Sequence, residues 1–348
     1  MSLPLKALGG ALPQESPRAS HVSDEAIADF DRDGVVCLRG VLSGAQIAAL
    51  GDALDSLSLG IEASPTGYDV TAIRRRLYSA NDSQFAPDNG EGHYDPNAVR
   101  RSVYLSGAPA LLDAAASGTG RFLVDTSTWR RDARIRRLAL DSVLPEIAAK
   151  LMGANRVNYC DDQIFVKTGG AADRTAFHQD YTYFRMRGWQ GCVMWICADA
   201  ANTESGALRY LRGSHRAGRE YRPNMFFAHV GVPGSSGESL QPVDDNPQRY
   251  DLIDFDLNPG DVVVHHFRTV HGSGGNRSNR PRRALSLRYG GDDMRYWRRP
   301  GTPDQPHHSH ALRDGDRLDC EDFPVVWPRA FPGFSLATAY YDRVAVEA

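Results

Sequence analysis

The sequence predicts a mainly β protein, an antiparallel sandwich or open barrel with helices at its periphery. Short apolar runs follow one another from about residue 155 to residue 290, and turns rich in Gly, Asn and Pro separate them. Helical patterns do not alternate with these runs, so a parallel sheet of the dinucleotide-binding type is disfavoured. We therefore expect one domain over residues 23–348, in which N-terminal helices and a C-terminal arm cover the β core.

The N-terminal third of the chain predicts the covering elements. Residues 1–22 are rich in Pro, Gly and Ser and indicate a flexible tail. A short strand, Val35–Leu38, is expected between the first two helices, whereas residues 60–105 have loop character. Capping residues and apolar periodicity predict helices from Ser23 to about Asp33, after Ser43, at about 107–117 and at 140–152.

The β core is predicted from runs with β propensity rather than from helical periodicity. These runs are Val157–Val166, Cys192–Ile196, Leu208–Leu211, Val262–Val264 and Leu285–Tyr289. Residues 291–348 contain many Pro, Arg and Asp and indicate a loop-rich C-terminal arm with some docked aromatic side chains. The core and its two covers account for the whole chain after the tail.

Composition narrows the class of partner. In 348 residues the hydrophobic share is 41%, the charged share is 24% and the net charge is −3, which disfavours a nucleic-acid or membrane-surface binder. The five cysteines include no CxxC pair, and no targeting signal is recognisable, so we expect free thiols and a cytoplasmic location. A small-molecule substrate is expected, with a monomer or a dimer equally open.

His178 and Asp180 are the first candidate metal ligands. On a strand, alternate side chains point the same way, so the two would project together and supply two-thirds of a facial metal site. The spacing alone is weak, because chance supplies roughly 1.4 such pairs in a chain with 11 His and 43 acidic residues. A twin, His93 and Asp95, follows a loop-like segment and lacks a supporting strand. The cluster His307–His310 has a Pro-rich setting and is interpreted as a solvated loop.

A third ligand is expected after a turn at Pro259–Asp261. The turn feeds a predicted strand that ends beside the turn at His271-Gly272-Ser273, which places His271 at a strand end, and His265 and His266 lie inside or at the end of that strand. With the His178–Asp180 pair, His271 makes a set of two imidazoles and one carboxylate, which suits Fe(II) and leaves positions for a bidentate oxoacid and O2. His265 and His266 remain alternatives, since only one of them can face inward.

An iron centre that uses 2-oxoglutarate as cosubstrate needs a fixed cation for the distal carboxylate of the oxoacid. Arginine suits this task because its planar guanidinium meets a carboxylate through two hydrogen bonds. In the run from Arg282 to Tyr289, alternation places Arg282, Ala284, Ser286 and Arg288 on one small, polar face. Arg282 is therefore the predicted anchor. Without the upstream ligands, surface arginines would be the simpler interpretation.

Several motifs occur in a fixed order between about Asp162 and Tyr289. They are Phe165-Val166-Lys167, His178-Gln179-Asp180, Met194-Trp195-Ile196, Asn202–Arg209, Gly213-Ser214-His215, Pro259-Gly260-Asp261, His271-Gly272-Ser273 and Arg282. In this order they resemble the phytanoyl-CoA dioxygenase family of Fe(II)- and 2-oxoglutarate-dependent oxygenases. The similarity extends more weakly into the N-terminal helices.

The resemblance implies a double-stranded β-helix core, a jelly roll of the cupin-like kind, and a set of site residues. It assigns His178, Asp180 and His271 to iron, and Arg282 with Ser273 to the distal carboxylate of 2-oxoglutarate. By position, Lys167 and Trp195 are expected beside the cosubstrate; a surface lysine and a core tryptophan are the alternatives.

The substrate side is less defined by the resemblance. Gln163 and Tyr183 are expected to line it, with core packing as an equal alternative. Residues beyond the metal ligands are not expected to act as catalytic acids or bases.

The implied reaction hydroxylates an unactivated C–H bond and converts 2-oxoglutarate and O2 to succinate and CO2. Some members of the family halogenate and carry a small residue in place of the carboxylate ligand, so Asp180 favours hydroxylation. Two alternatives remain: a non-catalytic jelly-roll protein that holds a metal for structure, and a cupin-type metalloenzyme that uses no oxoacid.

Overall fold

The apolar runs of the sequence form strands, and its N-terminal periodic segments form helices. The computed structural model describes residues 22–73, 119–224, 226–227, 229, 231–232, 234–300, 302, 308 and 310–329. The helices are α1 (Asp24–Asp33), α2 (Gly44–Leu59), α3 (Ala133–Asp141) and α4 (Leu144–Met152). The strands are β1 (Val35–Leu38), β2 (Tyr68–Asp69), β3 (Phe122–Thr126), β4 (Val157–Lys167), β5 (Thr175–His178), β6 (Met186–Arg187), β7 (Gly191–Cys197), β8 (Arg209–Leu211), β9 (Leu252–Asp254), β10 (Val262–His266), β11 (His271–Ser273), β12 (Arg282–Gly290), β13 (Arg295–Tyr296) and β14 (Val325–Trp327).

Two antiparallel sheets form the core. Within the described residues, the larger sheet has the strand order β1-β10-β7-β12-β4-β3-β2, with β14 added beside β4. The smaller sheet has the order β5-β11-β8-β9. Trp195, Val263 and Ala284 of the larger sheet pack against Tyr210 of the smaller one. The protein is thus a jelly roll, as predicted.

The helices cover the outer face of the larger sheet. Strand alternation sends Leu285 and Leu287 of β12 outward, where they join a buried cluster with Leu54 of α2 and Ile147 of α4. The opposite face of β12 is left to the space between the sheets. The larger sheet is therefore buried on both sides, by helices outside and by the smaller sheet inside.

Capping explains where the first two helices begin and end. The hydroxyl of Ser23 accepts a hydrogen bond from the backbone N–H of Ala26 at 3.1 Å, and Gly34 ends α1 in the left-handed region at φ 75°. Ser43 and Gln46 form a reciprocal capping box at the start of α2. These two helices and β1 confirm the sequence prediction.

The helix predicted at 140–152 is wrong in extent. The chain forms two helices there, α3 and α4, and Ser142 and Val143 separate them. Pro145 in the first turn of α4 lacks an N–H and cannot continue a preceding helix, which accounts for the break. Helix α3 was missed because its arginines obscure the apolar period, although Arg136 is itself buried.

Other predictions fall partly or wholly outside the described residues. The helix at 107–117, the loop with His93 and Asp95, and residues 1–21 of the tail lie there. The C-terminal arm is described in part, and in that part Tyr296 of β13 and Phe323, which precedes β14, are buried aromatic side chains. Within the described segments, the helices are all too short or too polar to cross a bilayer.

Candidate metal centre

His178 and Asp180 lie at the end of β5. The strand stops at His178, and Asp180 begins a 3-10 turn, so the expected strand through both residues is two residues too long. Gln179 between them keeps an extended backbone, with φ −109° and ψ 134°. The alternation therefore still carries Asp180 to the side on which His178 lies.

His271 lies opposite His178 because β11 pairs with β5. The two residues are register partners in the smaller sheet, and their imidazole centroids are 4.4 Å apart. The next residue has no room for a side chain, since a Cβ on Gly272 would lie 2.7 Å from the Phe177 ring. The His-Gly-Ser motif thus permits the close approach that brings the two histidines together.

Three potential ligand atoms converge at this point. One atom each from His178, Asp180 and His271 lies within 4.8 Å of the other two, and all three residues are buried. Among the described residues, these three form the one group of at least three His, Cys, Asp or Glu side chains whose ligand atoms lie close enough together to hold a metal ion. Two imidazoles and a carboxylate on one side of a potential ion form a facial set that leaves the opposite positions free.

Both imidazoles are held in the form that binds a metal. Nδ1 of His178 lies 2.8 Å from the carbonyl oxygen of Ala176, and Nδ1 of His271 lies 2.9 Å from that of Thr269. A carbonyl can only accept, so each Nδ1 carries the proton and each Nε2 keeps a free lone pair. Burial, together with a neighbouring imidazole, lowers the pKa of His178 to about 3 and that of His271 to about 4. Both rings are therefore neutral at physiological pH.

Asp180 is contacted on both oxygens from the larger sheet. Nη2 of Arg288 lies 3.3 Å from Oδ1, and Nε2 of His265 lies 3.3 Å from Oδ2. Burial alone would raise the pKa of Asp180, but the Arg288 guanidinium and the nearby imidazoles hold that pKa well below its usual range. The carboxylate is thus ionised and oriented.

The alternative third ligands occupy different surroundings. His265 faces inward and reaches Asp180, but it is not part of the three-atom cluster. His266 points to the other side, where its Nε2 lies 2.8 Å from the carbonyl oxygen of Trp189. In the C-terminal arm, His310 is half-buried and packs on Tyr296, so the expected solvated loop is wrong at this residue.

The predicted cosubstrate residues meet beside the metal ligands. Nζ of Lys167 lies 2.8 Å from Oγ of Ser273, and Lys167 pairs in register with Arg282 across β4 and β12. The Arg282 guanidinium lies over the Trp195 ring, 5.5 Å from its centroid, and donates to the carbonyl of Phe165 at 3.1 Å. The four side chains thus form one cluster.

This cluster has an excess of positive charge. Arg282 and Lys167 are both buried, and neither forms an ion pair with a carboxylate among the described residues. Nε of Arg282 has no hydrogen-bond partner there. Burial and the adjacent Arg282 lower the pKa of Lys167 well below its usual range. An unpaired buried guanidinium is costly unless an anion joins it, so the cluster fits a carboxylate.

A pocket connects the candidate anion cluster to the candidate metal ligands, and its empty volume, including space open to solvent, is about 340 Å³. Its walls include Phe165, Phe226, Trp195 and Leu208, and its polar lining includes Thr175, His178, Asp180, His271, Arg282, Ser286 and Arg288. Phe226 adopts φ 65°, a strained value for a non-glycine residue, next to the His178 ring. One pocket thus joins a candidate metal site and a candidate anion site.

The two predicted substrate-side residues lie near the ligands. Oε1 of Gln163 accepts a hydrogen bond from Nη2 of Arg288 at 3.0 Å. The Tyr183 ring lies edge-on to His178 at 5.3 Å, and its hydroxyl is 2.8 Å from Oδ1 of Asn224. Sequence reasoning missed the contacts of Arg288 and His265 with Asp180, although alternation had placed Arg288 on the inner face of β12.

The fold and the converging side chains define a class: a jelly-roll protein with a candidate two-histidine, one-carboxylate metal centre and an adjacent anion site. The family follows from the sequence. A family model described as phytanoyl-CoA dioxygenase (PhyH) matches residues 30–284. The chain therefore belongs to the phytanoyl-CoA dioxygenase family, and the predicted resemblance is confirmed.

Individual relatives agree with this family. A probable phytanoyl-CoA dioxygenase of Caenorhabditis elegans is 30% identical over 136 residues, 38% of this chain and 42% of that protein. A probable alpha-ketoglutarate-dependent hypophosphite dioxygenase of Stutzerimonas stutzeri is 30% identical over 121 residues, 34% of this chain and 40% of that protein. The aligned segments thus span about four-tenths of each of these relatives.

A solved structure shows the same fold. The non-heme alpha ketoglutarate dependent carbocyclase SnoK from nogalamycin biosynthesis has a TM-score of 0.59 at 22% identity, and the alignment covers 88% of this chain and 96% of SnoK. Similarity at this level carries the jelly-roll assignment and leaves the reaction to the residues of the site.

Proposed function

We propose that this protein is an Fe(II)- and 2-oxoglutarate-dependent dioxygenase that hydroxylates an unactivated C–H bond of a small-molecule metabolite. The observation that supports it best is the pairing of two sites in one cavity. The donor set of His178, Asp180 and His271 opens onto the unpaired guanidinium of Arg282. A metal held only for structure would need no such buried cation.

The residues divide into ligands and anchors. His178, Asp180 and His271 would hold the iron ion, and Arg282 would bind the distal carboxylate of 2-oxoglutarate through its planar fork. Ser273 would donate a hydrogen bond from its hydroxyl to the same carboxylate. In this structure the hydroxyl oxygen accepts a hydrogen bond from Nζ of Lys167 at 2.8 Å. The Stutzerimonas stutzeri relative, whose name includes alpha-ketoglutarate dependence, supports this assignment.

The bound iron and 2-oxoglutarate would supply the oxidation of the substrate by O2, with succinate and CO2 as products. The protein's own part is to position the reacting C–H bond and to exclude water. Phe165 and Phe226, whose stacked rings are 5.6 Å apart, form an apolar wall of the cavity. Within the proposal, no side chain has to act as a general acid or base.

Anaerobic addition of Fe(II) and then 2-oxoglutarate tests the proposal directly. We expect both to bind, with a weak visible charge-transfer band, and succinate to be released under air. His271→Ala should lose metal binding and turnover, whereas His93→Ala, in the twin pair, should retain both. Tight binding of zinc without any binding of 2-oxoglutarate would favour a non-catalytic metal-binding protein instead.

The finer features of the proposal are the substrate and its setting. A small metabolite is expected from the family resemblance, and hydroxylation rather than halogenation from the presence of Asp180. A screen for succinate release over a metabolite panel would identify the substrate. Gel filtration would distinguish a monomer from a dimer, and the cytoplasmic location stays a prediction.

A further inference from the structure

We infer that Arg288 anchors an anionic oxygen group, in the first place a carboxylate, on the substrate of this site. The inference rests on the proposed function, because that function places a substrate in the cavity beside the metal ligands. It adds the chemical class of the substrate and a residue that selects it. Neither the metal ligands nor the cosubstrate cluster includes Arg288.

Arg288 reaches the cavity from β12 and is almost fully enclosed. Its side chain is 4% exposed and lines the same cavity as the three metal ligands. Nη2 donates to Gln163 at 3.0 Å and to Asp180 at 3.3 Å. Nε is buried and has no hydrogen-bond partner among the described residues. A buried N–H donor without an acceptor is costly, so this guanidinium has capacity for one more acceptor.

The charge balance around Arg288 also favours the binding of a second anion. In the described part of the chain, Asp180 is the acid within ion-pair distance of Arg288. The other oxygen of Asp180, Oδ2, lies 3.7 Å from Nε2 of His271 and so faces the metal position. When Asp180 binds a divalent ion, its charge is shared with that ion and compensates Arg288 less.

A second acidic side chain on the inner face, Asp161, does not supply the negative charge that Asp180 would share with a bound ion. Asp161 pairs in register with Arg288 across β4 and β12, but no ion pair joins them. Burial and the neighbouring Asp162 raise the pKa of Asp161, against the opposing effect of Arg288, so this carboxyl compensates the guanidinium less than a solvated aspartate would. The guanidinium therefore stays available to an incoming carboxylate.

The rest of the environment suits a substrate with an apolar skeleton. The Arg288 guanidinium lies over the Phe184 ring at 4.7 Å, and Phe165 and Phe226 line the same cavity. A substrate with one anionic end would place that end on Arg288 and its carbon chain along the aromatic walls. Because Arg288 contacts a metal ligand directly, the oxidised carbon should lie close to the anionic group.

Binding of simple acids and their amides tests the inference. The anaerobic Fe(II) protein, saturated with 2-oxoglutarate so that Arg282 is occupied, is titrated by calorimetry with butyrate, hexanoate, butanamide and hexanamide. We expect each acid to bind roughly 10- to 100-fold more tightly than its amide, as for hydrogen bonds to a charged group. Arg288→Gln should remove this preference, and Arg288→Lys should retain part of it.

Arg283→Gln is the matched control, because Arg283 lies on the same strand as Arg288 but on the outer face of β12, where it pairs with Asp199. It should keep the full preference for acids. The inference is overturned if the wild-type protein binds the acids no better than the amides, or if Arg288→Gln keeps the preference. Failure of the wild-type protein to bind Fe(II) or 2-oxoglutarate would instead refute the proposed function itself. A loss of acid selectivity confined to the Arg288 variants supports the inference, since a purely structural role would weaken acids and amides alike.

Discussion

Replacing Arg282 by Met tests separately what its buried guanidinium contributes to 2-oxoglutarate binding and to the stability of the metal-free protein. Two charge-assisted hydrogen bonds to the distal carboxylate would be lost, each worth about 1.5–3 kcal/mol. The affinity for 2-oxoglutarate should therefore fall by about 100-fold or more. Calorimetric titration of the anaerobic Fe(II) protein measures this change.

The same substitution should cost the metal-free protein little stability. It removes the bond from Arg282 to the carbonyl of Phe165 at 3.1 Å and the contact with the Trp195 ring at 5.5 Å. These losses come to about 1–3 kcal/mol. They are offset by relief of a desolvated charge without a carboxylate partner, which costs several kcal/mol. Urea unfolding should thus give a free energy within about 1 kcal/mol of the wild type, or slightly higher.

Arg283→Met provides the opposite pattern on the outer face of the same strand. Arg283 is 2.7 Å from Asp199 and 2.8 Å from Asp55, so its removal should lower the free energy of unfolding by about 1–2 kcal/mol. Its affinity for 2-oxoglutarate should not change. The reasoning is refuted if Arg282→Met loses more than about 3 kcal/mol of stability while its 2-oxoglutarate affinity is unchanged, because Arg282 would then be a structural residue.

Three further predictions concern the surroundings of Asp180 and an unrelated histidine. His265→Phe removes the 3.3 Å contact to Asp180 and should weaken Fe(II) binding about 10-fold in anaerobic titrations; unchanged affinity would mean that the contact does not orient the ligand. Asp180→Ala leaves Arg288 without its ion-pair partner and should cost the metal-free protein about 3 kcal/mol in urea unfolding, with no loss if that pair contributes nothing. Burial first, and His215 next, lower the pKa of His266 from 6.5 to about 3, so below pH 6.5 the unfolded chain gains a proton that the folded protein does not. The free energy of unfolding therefore falls as the pH is lowered below 6.5. His266→Gln should reduce the slope of this free energy against pH by about 1.4 kcal/mol per pH unit relative to the wild type. An equal slope in the two proteins would show that His266 is protonated in the folded state.

Alternation along strands accounts for most of what the sequence predicted about the site. It separated the inner and outer faces of β12 correctly, and Arg282 and Leu285 lie where that pattern put them. It also brought Asp180 beside His178, although the strand ends two residues earlier than expected. Alternation is a local property of the chain, and local properties survive small errors in the bounds of an element.

The sequence pattern did not predict contacts between strands that are far apart in the sequence. His271 faces His178 because β11 pairs with β5 in a specific register, and a single sequence does not determine which strands pair. The same limit applies to His265, which sequence reasoning treated as a rival ligand and which in fact contacts the carboxylate. Helix α3 was missed for a different reason, since tertiary packing buries an arginine that periodicity counts as polar.

The two sheets contribute different parts of the candidate site. The candidate metal donors come from the smaller sheet or directly after it, whereas three buried basic side chains, Lys167, Arg282 and Arg288, project from the adjacent strands β4 and β12 of the larger sheet. Hydrogen bonds between side chains link these halves, from Arg288 and His265 to Asp180 and from Lys167 to Ser273. Burying the Arg282 guanidinium without a carboxylate partner opposes folding unless an anion joins it. The arrangement therefore favours a protein that gains stability when it binds its anionic ligands, as expected for a site shaped by binding rather than by packing.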